Sequence, residues 1–259
     1  MPEGDTAHRA ARRLHDALAG DVLVRGEVRV PRAATADLSG RTVERVRAVG
    51  KHLLHTLGDV TLHTHLKMEG EWHVHPAGSR WRRPAFQARA ILATASQEAV
   101  GFELGIVELL ETAREDDAIG HLGPDPLGPA WDPGEAIRRL ERDERAAHVA
   151  LLDQRNVAGF GNVYASELLF LRGVSPTTPM VDVDAAALVD LGARALRANV
   201  GRTRRTFTGA NRQGERHWVY GREGQPCRRC GALVRRTDLG ARPGEERRAF
   251  WCPVCQPVP

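Results

Sequence analysis

The sequence predicts an α+β protein with a β-rich first half, a mainly helical second half and a small metal-stabilised module near the C-terminus. Three observations predict this class. Short alternating apolar and polar segments recur between residues 22 and 104, as is typical of an antiparallel β-sandwich or barrel. Helical apolar spacing follows between residues 134 and 199. All four cysteines lie in two Cys-x-x-Cys pairs after residue 226.

A helix is predicted over residues 5–20, directly after the start of the chain. Alanine and leucine recur there at helical spacing, with histidine and arginine on the opposite face. We expect Asp5 or Thr6 to cap the helix and Gly20 to end it.

The residues before this helix read Met1-Pro2-Glu3. If Met1 is removed, Pro2 becomes a secondary amine, which is less basic than a lysine and can act as a nucleophile near neutral pH. Glu3 is then placed to donate and accept protons. The alternative is that Pro2 merely precedes a helix, where proline is common.

Seven strands are predicted, separated by glycine and aspartate. They cover residues 22–30, 42–49, 52–57, 60–66, 71–75, 86–95 and 99–104. A segment rich in proline and glycine follows, and the domain boundary is predicted there, with residues 1–120 as one domain and 121–133 as a linker. Helices are then predicted over residues 134–142, 146–153, 162–171 and 184–199.

Within the helical half, Gly159 and Gly161 lie in a turn before the helix that begins at Asn162. Backbone N–H groups at such a helix start favour a phosphate, although any helical hairpin can contain glycines. The C-terminal region is also basic. Residues 200–259 hold thirteen arginines against five acidic residues, a net charge of +8, so the first 199 residues carry about −4. This asymmetry predicts that one end of the protein binds a polyanion.

The cysteines form the pattern Cys227-x-x-Cys230 and Cys252-x-x-Cys255. This spacing predicts one tetrahedral structural Zn²⁺ site. Disulfides are the alternative, which a cytoplasmic location disfavours. The sequence contains neither a bilayer-spanning apolar run nor a signal-peptide pattern, so we expect a soluble, intracellular protein that does not associate with membranes.

Together the Pro-Glu start, the glycine-asparagine turn and the four-cysteine finger resemble the formamidopyrimidine-DNA glycosylase and endonuclease VIII family. The resemblance runs from Pro2 to Gln256. It implies an N-terminal β-sandwich domain, a helix-two-turn-helix domain over residues 134–220 and a zinc finger over residues 221–259. It also implies a bifunctional DNA glycosylase and AP lyase, with Pro2 as the Schiff-base nucleophile and Glu3 as its acid/base partner. We expect it to act as a monomer on double-stranded DNA with damaged bases or abasic sites.

Further roles follow from the resemblance, residue by residue. Lys51, in Val49-Gly-Lys-His-Leu-Leu54, is implied as an active-site lysine. Asn162 and Arg247 are implied to grip phosphates near the lesion, with Arg248 as the adjacent alternative. Met68, in His65-Leu-Lys-Met-Glu-Gly70, is implied to fill the gap left by a flipped nucleotide, and its neighbour Lys67 is expected to contact DNA. The alternative for Met68 is an ordinary core position.

Two departures from the family's pattern matter. Asp5 and Thr6 stand where relatives commonly have proline and glutamate. Residues 103–109 replace an arginine-rich loop of the 8-oxoguanine branch, which, with Gly70-Glu-Trp72, favours the endonuclease VIII branch and oxidised pyrimidines. Against this, the arginine-rich loop over residues 201–216 could select purines. The rival readings are an 8-oxoguanine enzyme of the same fold and a non-catalytic nucleic-acid-binding zinc protein.

Overall fold

The structure, a computed structural model, describes residues 1–258. It divides into two compact units, Met1–His121 and a second that begins at Leu122. No helix among the described residues is both long enough and apolar enough to cross a membrane.

The first unit begins with helix α1, Gly4–Leu18. Glu3 rather than Asp5 or Thr6 is the N-cap residue, and its carbonyl oxygen accepts the N–H groups of Thr6 and Ala7 at 2.9 and 3.0 Å. The helix ends two residues before Gly20, which has a φ of +90° that favours glycine. The predicted helix is therefore present, and the predicted cap is wrong by two or three residues.

Eight strands form two four-stranded antiparallel sheets in this unit. They are β1 Arg25–Val28, β2 Arg45–Val49, β3 His52–Leu57, β4 Val60–His65, β5 Glu71–Pro76, β6 Ala88–Ala93, β7 Gln97–Phe102 and β8 Ile106–Glu111. One sheet has the order β1-β6-β7-β5 and the other β2-β3-β4-β8. A four-residue helix, α2 Asp116–Ile119, follows β8.

The core of this unit combines the apolar stripe of α1 with residues of both sheets, which makes the arrangement a sandwich rather than a barrel. It includes Leu14, Leu53, Leu62, Leu92 and Trp72. Packing of α1 against β2 and β3 holds the start of the chain against the sheet that carries Lys51.

Two strand predictions need correction. The segment over residues 103–109 was not assigned to a strand beyond residue 104, yet most of it belongs to strand β8, which pairs with β4. The strand predicted to start at residue 86 starts at Ala88, because residues Ala85–Gln87 form a 3₁₀ turn.

The second unit contains four helices and one hairpin. The helices are α3 Pro133–Glu141, α4 Ala147–Leu152, α5 Asn162–Arg172 and α6 Ala185–Val200, and the hairpin joins β9 Arg235–Leu239 to β10 Arg247–Trp251. The four predicted helices are confirmed to within one residue at each end. Phe160, Tyr164 and Leu196 lie in the helical core, while α5 also packs against β10.

The stretch before α3 belongs to this second unit. The N–H of Gly123 donates to the carbonyl oxygen of Gln154 at 2.8 Å, and the N–H of Ala158 donates to that of Pro124 at 3.0 Å. Residues 122–258 form one unit. The finer division into a linker, a domain over residues 134–220 and a finger over residues 221–259 stays a prediction.

Candidate active site and nucleic-acid interface

Two buried acidic residues follow Pro2 closely in the sequence. Pro2 is half-buried, whereas Glu3 and Asp5 are almost completely buried. A carboxylate oxygen of Asp5 accepts the backbone N–H of Thr6 at 2.8 Å and its hydroxyl at 3.3 Å. Asp5 thus puts a buried carboxylate in the first turn of α1, one position before the glutamate that relatives commonly have.

Lys51 lies at the tip of the β2–β3 hairpin, next to Gly50. The φ of Gly50 is +58°, a conformation that favours glycine and keeps the hairpin tight. The Lys51 side chain is half-buried. A short, well-packed hairpin of this kind fixes the position from which the ammonium group projects.

A histidine cluster adjoins Lys51, and the sequence indicated only two of its members, His63 and His65, which alternate on one strand as possible metal ligands without an evident third. His52 Nδ1 lies 2.8 Å from His63 Nε2, and His63 Nδ1 lies 3.2 Å from a carboxylate oxygen of Glu108. The His52 ring also contacts those of His65 and His121 edge-on. The alternation of His63 and His65 was visible in the sequence. Their partners depend on strand register, which pairs His52 with His65 and His63 with Glu108.

His52 and His65 are neutral near pH 7. Burial, and to a smaller extent repulsion from neighbouring histidines and lysines, lowers the pKa of His52 to about 4 and that of His65 to about 3. His65 Nδ1 accepts the backbone N–H of Lys67 at 2.8 Å. Uncharged rings beside Lys51 leave the local positive charge to the lysines.

Met68 lies in the turn between β4 and β5. Its side chain is 61% exposed, so the structure contradicts the alternative that it is a core residue. Lys67 precedes it with a φ of +51°. Gly70 closes the turn, and a Cβ there would lie 2.4 Å from the carbonyl oxygen of Leu66. The turn therefore presents an apolar tip beside a cation.

The Met68 turn packs against the β7–β8 turn. A Cβ on Gly105 would lie 2.2 Å from Lys67 Cγ, so glycine makes room for the lysine stem. The N–H of Gly105 donates to the carbonyl oxygen of His65 at 3.0 Å. The tip that carries Lys67 and Met68 is thereby supported from both sides.

In the second unit, Asn162 is the first residue of α5. Its Oδ1 lies 2.8 Å from His148 Nε2, and its Nδ2 donates to the carbonyl oxygen of Arg248 at 2.9 Å. The preceding turn contains Gly159, with a φ of +97°, and the N–H of Gly159 donates to Gln154 Oε1 at 3.0 Å. The start of α5 therefore directs backbone N–H groups and a polar amide to one place, which suits a phosphate.

The four cysteines come together in the second unit. Their sulfur atoms all lie within 4.8 Å of one another, with Cys230 and Cys252 at 3.4 Å and Cys227 and Cys255 at 4.0 Å. A tetrahedral site with zinc–sulfur bonds of the usual length places its sulfurs about 3.8 Å apart, whereas a disulfide needs about 2 Å. The cluster thus fits a four-coordinate metal and rules out the disulfide alternative.

Arg247 and Arg248 begin β10, five and four residues before Cys252, and both are exposed. Successive strand residues point to opposite faces, so the two guanidinium groups leave the hairpin in different directions. Arg247 donates to the carbonyl oxygen of Glu246 at 3.1 Å. The carbonyl of Arg248 is held by Asn162. One hydrogen bond thus fixes the hairpin that carries the arginines to the start of α5.

A buried carboxylate supports the chain that leads into the cysteine module. Glu167, on α5, accepts the backbone N–H groups of Trp218, Val219 and Tyr220 at 2.8 to 2.9 Å. Burial raises the pKa of Glu167 to about 7, although the three N–H donors oppose the rise. Sequence reasoning missed this residue, because nothing in the sequence marks which backbone groups a helical glutamate will meet.

The arginine-rich loop over residues 201–216 contains no helix or strand. It is held by the N–H of Phe207, which donates to the carbonyl oxygen of Arg216 at 2.8 Å, and by the N–H of Thr206, which donates to Asn199 Oδ1 at 2.9 Å. The Arg205 guanidinium lies 5.2 Å from the ring centre of Tyr164. Several cations are therefore presented near the C-terminal end of α6.

Comparisons with known proteins agree with this geometry. Residues 1–103 match the formamidopyrimidine-DNA glycosylase N-terminal domain, and residues 122–198 match the formamidopyrimidine-DNA glycosylase H2TH domain. A probable endonuclease 8 2 of Streptomyces coelicolor is 52% identical across 100% of this chain and 95% of its own. A DNA-(apurinic or apyrimidinic site) lyase Nei2 of Mycolicibacterium smegmatis is 46% identical across 99% of both chains.

The fold also matches solved structures. The Lactococcus lactis formamidopyrimidine-DNA glycosylase, in a non-covalent complex with DNA containing an AP site, superposes with a TM-score of 0.80. The match covers 99% of this chain and 100% of the other, at 22% identity. At that identity the likeness establishes the shared architecture of a β-sandwich, a helical domain and a cysteine finger.

Proposed function

This chain belongs to the formamidopyrimidine-DNA glycosylase and endonuclease VIII family, and we propose that it is a bifunctional DNA glycosylase and AP lyase of base excision repair. Relatives similar over essentially the whole chain carry the names endonuclease 8 and DNA-(apurinic or apyrimidinic site) lyase. The observation that carries the proposal is the position of Pro2, directly before the buried Glu3 at the start of α1.

Pro2 supplies the nucleophile once Met1 has been removed. Its nitrogen forms a bond to C1′ of the damaged nucleotide, the bond from C1′ to the base breaks, and the base leaves with a proton. The sugar ring opens to an iminium ion. Loss of a C2′ proton then expels the 3′ phosphate and cuts the strand. Glu3 is the proton donor and acceptor, a role that burial beside the amine favours.

Lys51 places its ammonium group near the reacting sugar and stabilises negative charge on the phosphates there. Met68 enters the stack where the damaged nucleotide has left, and the cost of unstacking is offset by burial of this exposed apolar tip. Lys67, supported by Gly105, lies beside Met68 and contacts the backbone of the same DNA segment.

Asn162 and Arg247 grip phosphates, and the cysteine module positions the arginine. One Zn²⁺ held by Cys227, Cys230, Cys252 and Cys255 would supply the cross-link that so small a hairpin needs to stay folded. The module then presents charge to a DNA backbone. We propose that the protein acts on double-stranded DNA as a monomer in the cytoplasm, associated with the nucleoid.

Oxidised pyrimidines such as thymine glycol are the proposed substrates, together with abasic sites. The support is the β7–β8 connection, where only three residues separate the end of β7 from the start of β8 and leave no room for an arginine-rich loop. Without groups positioned against the opposite base, opposite-base selectivity should be weak. The arginine-rich loop over residues 201–216 favours the second candidate, an enzyme that prefers 8-oxoguanine.

Single-turnover excision on matched duplexes tests this choice. We expect thymine glycol to be removed faster than 8-oxoguanine, with little dependence on the opposite base. A faster 8-oxoguanine reaction that requires an opposite cytosine would establish the second candidate. Binding without excision or strand cleavage on any of these duplexes would favour the non-catalytic zinc protein.

A further inference from the structure

Phe86 has no role in the function described so far, yet it is the most exposed large apolar side chain among residues 1–258. It is 77% exposed and lies in the 3₁₀ turn Ala85–Gln87 that leads into β6. Single exposed apolar residues are common on soluble proteins. The position of Phe86 in the sheet is what makes it informative.

Strand register places Phe86 and Met68 at the same end of the strands in this sheet. Glu71 of β5 and Ala88 of β6 both pair with Phe102 of β7, so these three residues form one row across the sheet. Phe86 precedes this row by two residues, and Met68 by three. Because neighbouring strands lie about 4.8 Å apart, the β5 and β6 ends of the row are about 10 Å apart. The two turns that carry these exposed apolar side chains therefore lie at the same end of this sheet.

Polar contacts fix the Phe86 turn to that end of the sheet. The N–H of Glu103 donates to the carbonyl oxygen of Gln87 at 2.9 Å. The Arg89 side chain donates to the carbonyl oxygen of Phe86 at 2.8 Å. The Arg83 guanidinium donates one hydrogen bond to Gln87 Oε1, at 2.8 Å, and another to a carboxylate oxygen of Glu71, at 2.7 Å. Through the side chains of Gln87 and Arg83, the Phe86 turn is thus linked to Glu71, the first residue of β5, which follows the Met68 turn.

The connection that carries Phe86 is also basic. Three arginines lie within four residues of Phe86, at positions 82, 83 and 89, and a fourth lies at position 80. Arg83 and Arg89 pair with Glu71 and Glu103, respectively. The β7–β8 turn, residues 103–105, contains no aromatic residue. An exposed aromatic side chain on an arginine-rich connection, at the same end of the sheet as the turn proposed to enter the DNA stack, has the chemistry of a nucleic-acid contact.

We propose that Phe86 is a second DNA-contacting side chain, which lies against the base opposite the lesion while Met68 fills the gap on the damaged strand. This inference rests on the proposed function, because it requires the Met68 turn to face the lesion. Phenylalanine is among the side chains that proteins insert at unstacked base steps. The rigid attachment of the Phe86 turn reduces the ordering cost of such a contact.

The test uses a duplex with a tetrahydrofuran abasic analogue and 2-aminopurine in the opposite position. Phe86→Ala should weaken binding about tenfold and reduce the change in 2-aminopurine fluorescence on binding, whereas Phe86→Trp should retain both. Val24→Ala is the matched control. Val24 is 64% exposed, and its N–H donates to the carbonyl oxygen of Ala93, at the other end of β6, so loss of its side chain should change neither readout.

Two outcomes would overturn the inference. If Phe86→Ala binds the duplex and changes its fluorescence as the wild type does, Phe86 does not contact the opposite base. If the wild type is trapped on abasic DNA by borohydride and yet Phe86→Trp fails like Phe86→Ala, an aromatic ring at position 86 is not sufficient for the contact, and the inference is overturned. Failure of wild-type trapping would instead overturn the proposed function itself.

Discussion

The side-chain amide of Asn162 donates to the carbonyl oxygen of Arg248 at 2.9 Å, which joins the start of α5 to the β10 hairpin. His148 holds the other end of the same amide, with Nε2 2.8 Å from Asn162 Oδ1. His148 Nε2 is therefore the donor in this contact, and burial lowers the pKa of His148 to about 4, so the ring is neutral near pH 7. A single asparagine thus links the helical core to the cysteine module.

Replacement of Asn162 should weaken DNA binding. Asn162→Ala removes a neutral hydrogen bond to phosphate and the bond to Arg248, and a loss of about fivefold to tenfold in affinity for an abasic duplex is expected. Asn162→Asp should be worse, because it adds a negative charge facing DNA. Fluorescence anisotropy with both variants measures this. Wild-type affinity in Asn162→Asp would place the asparagine outside the interface.

Arg247 and Arg248 can be separated by salt dependence. Arg247→Ala should lower affinity uniformly across sequences and reduce the slope of log affinity against log salt by about one. Arg248→Ala is the matched control and should leave the slope nearly unchanged. Equal effects would mean that both guanidinium groups reach phosphates, and a reversed pattern would assign the contact to Arg248.

Loss of one cysteine should unfold the finger alone. Cys227→Ser should bind less than one Zn²⁺ per chain and lose DNA affinity, because metal binding supplies much of the folding free energy of a small module. The first unit has its own core and should keep its β-sheet circular dichroism. Metal analysis and binding assays on the variant and on chelated wild type test this. Full DNA affinity without metal would contradict it.

Buried histidines should make the first unit sensitive to acid. Burial lowers the pKa of His55 to about 3, and neither ring nitrogen has a hydrogen-bond partner among residues 1–258. The unfolded chain binds a proton near the ordinary histidine pKa, so the folded state loses stability as pH falls below about 6.5 towards 3. From pH 6.5 to 5 this amounts to about 2 kcal/mol for one such group.

His55→Phe removes this dependence. The ring packs against Trp72 with centres 4.9 Å apart, and phenylalanine can fill the same space without buried nitrogens. The variant should match or exceed wild-type stability at pH 7.5, and its advantage should grow by about 2 kcal/mol on acidification to pH 5. Urea unfolding at both pH values measures it. Parallel pH profiles would show that His55 does not titrate on unfolding.

Local signals in the sequence predicted much of the fold. Strand β3 was predicted with the observed ends because Gly50 and Gly58 bound it as turn residues. Strand β8 was missed because Ile106–Glu111 lacks a regular alternation, and only its pairing with β4 identifies it. Phe86 was assigned to a strand since it precedes an apolar run, whereas hydrogen bonds from Arg29 and Glu103, both distant in sequence, hold the residues on either side of it in a turn.

In the candidate site, too, local sequence spacing predicted some features, whereas others depend on tertiary packing. Cysteine spacing predicted the metal cluster because the ligands of such a site follow short-range spacing. The contact between His52 and His63, eleven residues apart, and the three bonds to Glu167 from residues more than fifty positions away depend on tertiary packing. Those contacts could not be predicted from one sequence without the register of its strands.

Borohydride trapping tests the central claim, that Pro2 is the nucleophile. The wild type, incubated with an abasic-site duplex and borohydride, should become covalently attached to DNA, since reduction fixes the iminium as a stable amine. Pro2→Gly should lose most of this product, and mass spectrometry of the wild-type adduct should place the sugar on Pro2. An adduct on Lys51 or Lys67, or equal trapping of Pro2→Gly, would contradict the account.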